Sequence, residues 1–169
     1  SDRDLVKIPL SFCQERLWCL DQLQGRVEYH LPFALRISGD LDEESLSMSL
    51  REVVNRHEVL RTVIYSADGV GYQKVLSVKD WELSVKDLSA DDSTLKSDIK
   101  AFLLSPFDLS TDYMFRSCLY NLGNKEYVLA GVFHHISSDG WSQGILLSEF
   151  MSLYGSYTSG NSSNLPALP

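Results

Sequence analysis

The apolar positions of this chain switch between a helical period and a strict alternation, and the switches mark its elements. Residues 11–23, SFCQERLWCLDQL, carry apolar side chains at near-helical spacing behind Ser11, which can cap a helix start. Residues 31–38 alternate as a strand and break at Gly39-Asp40. From Asp42 to about Arg56 the stripe Leu46, Leu50, Val53 and Val54 predicts a second helix, with Glu43 and Glu44 at its positive dipole end. Residues 60–78 read as a hairpin turning at Ala67-Asp68-Gly69, and residues 81–88 as a further short strand. A third helix is expected over 91–104, with Leu95, Ile99, Phe102 and Leu103 inward and Pro106 as its stop. Residues 114–135 form a second expected hairpin, turning at Gly123-Asn124. A long helix follows Gly140, and residues 159–169 read as a polar tail or linker behind one unit spanning 1–158.

The resulting order, αβαβββαββα, is neither an alternating βαβ series nor all-β. An α+β fold, a mixed sheet covered by helices, is the expectation. At 169 residues the chain can bury one real core, and its 44% apolar and 22% charged content suits a globular protein. The net charge of −8 works against non-specific attraction to nucleic acid or an anionic membrane. With no run of about 18 apolar residues to span a bilayer, and a charged N-terminal stretch unlike a signal peptide, a cytoplasmic location is expected. Cys13, Cys19 and Cys118 have no metal-type spacing and read as free thiols, and His30 and His57 stand alone, so no metal site is expected.

Candidate chemistry concentrates in VFHHISSDGWS, residues 132–142. On a strand, Tyr127, Leu129, Gly131, Phe133 and His135 share one face, while Val128, Ala130, Val132 and His134 share the other. The two adjacent histidines therefore have separate jobs. Asp139-Gly140 then forms a turn before a helix, whose N-terminal amides are free donors.

His134-His135-Ile136-Ser137-Ser138-Asp139-Gly140 resembles the HHxxxDG signature of the condensation domains of nonribosomal peptide synthetases. Two further segments sit in the family's order. LSFCQERLWCL, residues 10–20, resembles SxAQxRLWxL, with Cys13 where alanine is usual. RHEVLRT, residues 56–62, resembles RHExLRTxF, with Ile64 at the phenylalanine position. PFDLSTDYMFRSCLY is similar to the stretch that precedes the histidines in that family.

The resemblance implies a fold like chloramphenicol acetyltransferase, two lobes in a V with the active site between them, of which this chain is the N-terminal lobe. It implies that His135 faces the reaction tunnel while His134 packs or hydrogen-bonds on the other side. Asp139 is expected to pair with an arginine, Arg56 first and Arg61 second. Gly140 leaves room for the incoming amine, and Trp141 and Ser142 lie near the substrate. The implied reaction joins a donor acyl or peptidyl thioester to the amine of an acceptor aminoacyl thioester, both held on phosphopantetheine arms of carrier proteins. The lobe itself is expected to bind no cofactor. Donor and acceptor carrier proteins, the second lobe and a neighbouring adenylation domain are the implied partners; nucleic acid and membrane are not. His135 is read as a hydrogen-bonding positioner that takes the proton as the tetrahedral intermediate forms, with general base as the alternative. Heterocyclisation domains carry aspartate at position 134, which this chain does not. An epimerisation-type or other HHxxxDG acyltransferase domain, and a non-catalytic lobe that only docks a carrier protein, are the competing readings.

Overall fold

A computed structural model of the chain describes residues 8–9, 30–134 and 143–159. In chain order the elements are β1 (Ile8–Pro9), β2 (His30–Ser38), α1 (Glu43–Arg56), β3 (Thr62–Ala67), β4 (Val70–Val75), β5 (Ser84–Asp87), α2 (Leu95–Leu104), β6 (Phe115–Gly123), β7 (Glu126–His134) and α3 (Gln143–Ser159). The helix expected over 11–23 and the tail 159–169 lie outside the described residues, apart from Ser159 at the end of α3. The α+β reading holds, with one addition. The strands form two sheets, a four-stranded one in the order β2-β7-β6-β5 and a three-stranded one in the order β1-β4-β3. The larger sheet is mixed because β5 runs parallel to β6 while the other pairs are antiparallel.

The alternation in β7 translates directly into two cores. Leu129 and Phe133 face a cluster built by Leu46, Leu50, Val53 and Val54 of α1 and Leu146, Phe150 and Leu153 of α3. Val128 and Ala130 face the opposite side, where Leu95, Ile99, Phe102 and Leu103 of α2 pack. Val132 joins Ile64, Phe107, Leu109 and Met114 on that same side. β7 is paired on both edges and buried on both faces up to Phe133, so its C-terminal end is firmly held. Gly131 is required there: a Cβ would collide with the ring of its cross-strand partner Phe33.

Local chemistry sets the boundaries. Asp42 caps α1, its Oδ1 accepting from the Ser45 amide at 3.1 Å and its Oδ2 from the Ser45 hydroxyl at 2.9 Å. Asp68 and Gly69, both at positive φ, make the tight turn between β3 and β4, where Tyr65 and Tyr72 stack across the pair. The second hairpin turns one residue later than the sequence suggests, at Asn124-Lys125, because both take positive φ and a register shift lies at Asn121/Gly123. The third expected helix starts at Leu95 rather than residue 91, since the Asp91 carboxylate accepts from the Ser93 amide and holds a turn instead.

Hydrogen bonds from Ser45, Ser93 and Ser110 hold the carboxyls of Asp42, Asp91 and Asp108 below the usual carboxylate range. The unfolded chain therefore takes up protons first as the pH falls below about 4, and the stability these groups contribute above that pH is lost through their lowered values. A gradual fall in melting temperature between about pH 5 and pH 2, followed by circular dichroism, is the expected result; a flat profile would contradict these hydrogen bonds.

Candidate active site

The double-histidine motif begins where β7 ends. His134 is fully buried and paired in register with His30 of β2, and its amide donates to the Met114 carbonyl at 2.9 Å. Its ring meets the Phe107 ring edge-on at 5.6 Å and lies 5.9 Å from the His30 ring. His134 thus belongs to the α2 side of the sheet, with Val132. His135, Asp139, Gly140, Trp141 and Ser142 lie outside the described residues.

Around His134 the polar groups are committed to backbone. His30 Nδ1 donates to the Leu103 carbonyl at 3.2 Å, which fixes the proton on that nitrogen because a carbonyl can only accept. Burial lowers the His30 pKa, the Leu103 bond works against that, and the Arg116 charge adds to the lowering. Arg116 donates to the carbonyls of Phe102, Ser105 and Pro106 and lies over the Phe107 ring at 4.2 Å. It closes the C-terminal end of α2 from a neighbouring strand, the end of a helix where a cation is favourable.

On the opposite side, α1 ends at Arg56, inside the RHEVLRT segment. Arg56 Nε lies 3.6 Å from Oε2 of Glu149, and His57 Nε2 donates to the same oxygen at 2.7 Å. Glu149 is buried and comes from α3, the helix into which the HHxxxDG segment runs. The helical period explains its place: it follows Leu146 by three residues and precedes Leu153 by four, on the stripe that faces α1. The candidate arginines differ in their commitments. Arg61 donates to the carbonyls of Leu76 at 2.9 Å and Asn55 at 3.3 Å, tying the residue after β4 to the end of α1.

The structure therefore brings together two segments far apart in sequence, the RHEVLRT segment and the helix after the double histidine. Sequence reasoning missed Glu149 and treated His57 as isolated. The available signal was a lone acid on an otherwise apolar helix stripe. Cys118 is a buried thiol, its pKa raised chiefly by burial, and among the described residues no group of His, Cys, Asp or Glu could hold a metal ion. Nor is any helix among them long and apolar enough to cross a membrane.

Comparison with known proteins bears on this arrangement. The condensation domain family matches over residues 5–169. Cyclosporin synthetase simA of Tolypocladium inflatum is 40% identical over 155 residues, 91% of this chain and 1% of that protein. The isonitrile lipopeptide synthase of Mycobacterium tuberculosis is 39% identical over 166 residues, 96% of this chain and 7% of that protein. The chain thus spans a very small part of the large synthetases it resembles. In fold it is similar to the crystal structure of the starter condensation domain of rhizomide synthetase RzmA, with a TM-score of 0.86 at 20% identity, covering 98% of this chain and 41% of that one. The α+β architecture, the order of the three sequence segments and this match agree, and the chain belongs to the condensation domain family of nonribosomal peptide synthetases.

Proposed function

We propose that this chain is the N-terminal lobe, residues 1–158 with 159–169 leading onward, of a condensation domain that forms a peptide bond between two carrier-bound thioesters. The observation that carries the reading is the joining of RHEVLRT to the helix after HHxxxDG through Glu149, His57 and Arg56. One family segment is thereby joined to the helix that follows another, by residues 92 positions apart.

In the proposed reaction the acceptor's α-amine attacks the donor thioester carbonyl. The new C–N bond forms to give a tetrahedral intermediate, whose collapse breaks the C–S bond; the nitrogen gives up a proton and the departing thiolate of the donor arm receives one. His135 is the residue that takes the amine proton and holds the nucleophile. At pH 7 about a tenth of an α-amine with pKa near 7.7–8.0 is already neutral, so deprotonation alone is worth only about 1 kcal/mol. Positioning two tethered reactants contributes far more, up to roughly 7–11 kcal/mol. The positioning role is therefore the larger one.

Arg56 is the proposed partner of Asp139. It is held at the end of α1 against α3, whose first residue follows Asp139 by four positions, whereas Arg61 is committed to two carbonyls. Gly140 would admit the amine beside the backbone, with Trp141 and Ser142 near it. Carrier proteins presenting phosphopantetheine arms, a second lobe and an adenylation domain are the proposed partners. The test is incubation of the complete domain with both loaded carriers, reading the product by mass spectrometry. An amide product is expected; a donor returned epimerised at its α-carbon, with no amide, would overturn the reading in favour of an epimerisation-type domain.

A further inference from the structure

Glu149 presents a physical problem. It is a carboxylate buried on the stripe that already packs Leu146, Phe150 and Leu153 against α1. For stability alone, an apolar residue of similar size would do at least as well there, because a buried ion pair gives back in desolvation much of what it gains in attraction. What the carboxylate adds is geometry. One oxygen, Oε2, takes His57 Nε2 at 2.7 Å, a short charge-assisted length, and stands 3.6 Å from Arg56 Nε, an ionic contact.

We infer that Glu149 is a positioning residue: it holds Arg56 and His57 at the C-terminal end of α1, and so presents Arg56 to its proposed partner Asp139. The inference rests on the proposed amide-forming reading and on Arg56 as the partner of Asp139. A long arginine side chain has many rotamers, and an ionic contact at its Nε narrows that choice. Glu149 lies six residues into α3, about 9 Å along the helix from its start. It therefore ties the helix that follows the motif in sequence to the helix that ends in Arg56, while His134 is held at the end of β7.

The test uses Glu149→Gln in the complete synthetase. Glutamine keeps the size and an oxygen for His57 but removes the charge that faces Arg56. The rate constant for amide formation at saturating loaded carriers is expected to fall by about tenfold to a hundredfold, with KM for each carrier unchanged within about twofold. On an Arg56→Ala background the same substitution should cause no further loss. A full rate in Glu149→Gln, or an equal loss with and without Arg56, would overturn the inference. Should the glutamine variant not fold, Arg56→Lys carries the test: it keeps the charge but loses the fork, the same fall in rate is expected, and an undiminished rate is the contrary result. His135→Ala separates the two levels. Normal turnover in that variant overturns the amide-forming reading itself, whereas an inactive His135→Ala beside a fully active Glu149→Gln overturns only the role of Glu149.

Discussion

Truncating His135 to alanine in the complete synthetase is expected to cut amide formation by at least about a hundredfold, the lower end of what a positioned acid–base group contributes. The loss should fall on the rate constant with carriers saturating, since a group that holds the amine and accepts its proton acts as the C–N bond forms. The neighbouring histidine should behave in the opposite way. His134 is fully buried against Phe107 and His30, so His134→Ala leaves a cavity and lowers the melting temperature. His135→Ala should leave the melting temperature nearly unchanged. Amide yield from loaded carriers, measured beside a thermal melt of each variant, checks both halves. Equal destabilisation by the two substitutions, or near-normal turnover in His135→Ala, would refute the division of labour.

Phe115→Ala is expected to be the most destabilising core substitution. Phe115 is 1% exposed and sandwiched between Phe133, at 4.4 Å between ring centroids, and Trp81, at 5.7 Å, both nearly parallel to it. Removing a ring of this kind costs about 3–5 kcal/mol, transfer and cavity together. For a chain of this size about 1 kcal/mol shifts the melting temperature by roughly 2–4 °C, so a fall of roughly 6–20 °C is expected. The Trp81 indole donates to the Phe115 main-chain carbonyl at 2.9 Å, and that bond survives the substitution. The consequence reaches the site because Phe133 precedes His135 by two residues and packs on Phe115. A thermal melt of the 169-residue chain measures the loss, and a fall below about 3 °C would contradict the central place given to this stack.

Much of the fold was legible in the chain itself, for a physical reason that can be named element by element. The stripe Leu46, Leu50, Val53 and Val54 is buried as expected, and Asp42 caps the helix that carries it. The strict alternation around Val128–His134 separates two cores, one under each face of β7. These features are set by local period and by local hydrogen bonds, which a sequence displays. The pairing of Ile8–Pro9 with β4 into a second sheet was not legible, since two residues carry no periodic signal. The late start of α2 depends on which of several aspartates captures a backbone amide. The Glu149–His57 bond joins residues 92 positions apart, and nothing in either neighbourhood names the other. At the site, the motif residues were readable by resemblance, whereas the acid in contact with Arg56 and His57 emerged only once α1 and α3 were packed.

The proposed division of one active site between two lobes is most directly tested by following amide formation side by side in the complete domain and in the 169-residue chain alone, each mixed with both loaded carrier proteins and read by mass spectrometry. The chain should fold by itself, because its helices, sheets and apolar clusters close a core of their own. On the proposed reading, neither phosphopantetheine arm is held for attack without the second lobe, so most of the positioning contribution is absent. The expected result is amide product from the complete domain and none above the uncatalysed background from the folded chain. Product from the chain alone at the rate of the complete domain, or no product from the complete domain, would contradict it.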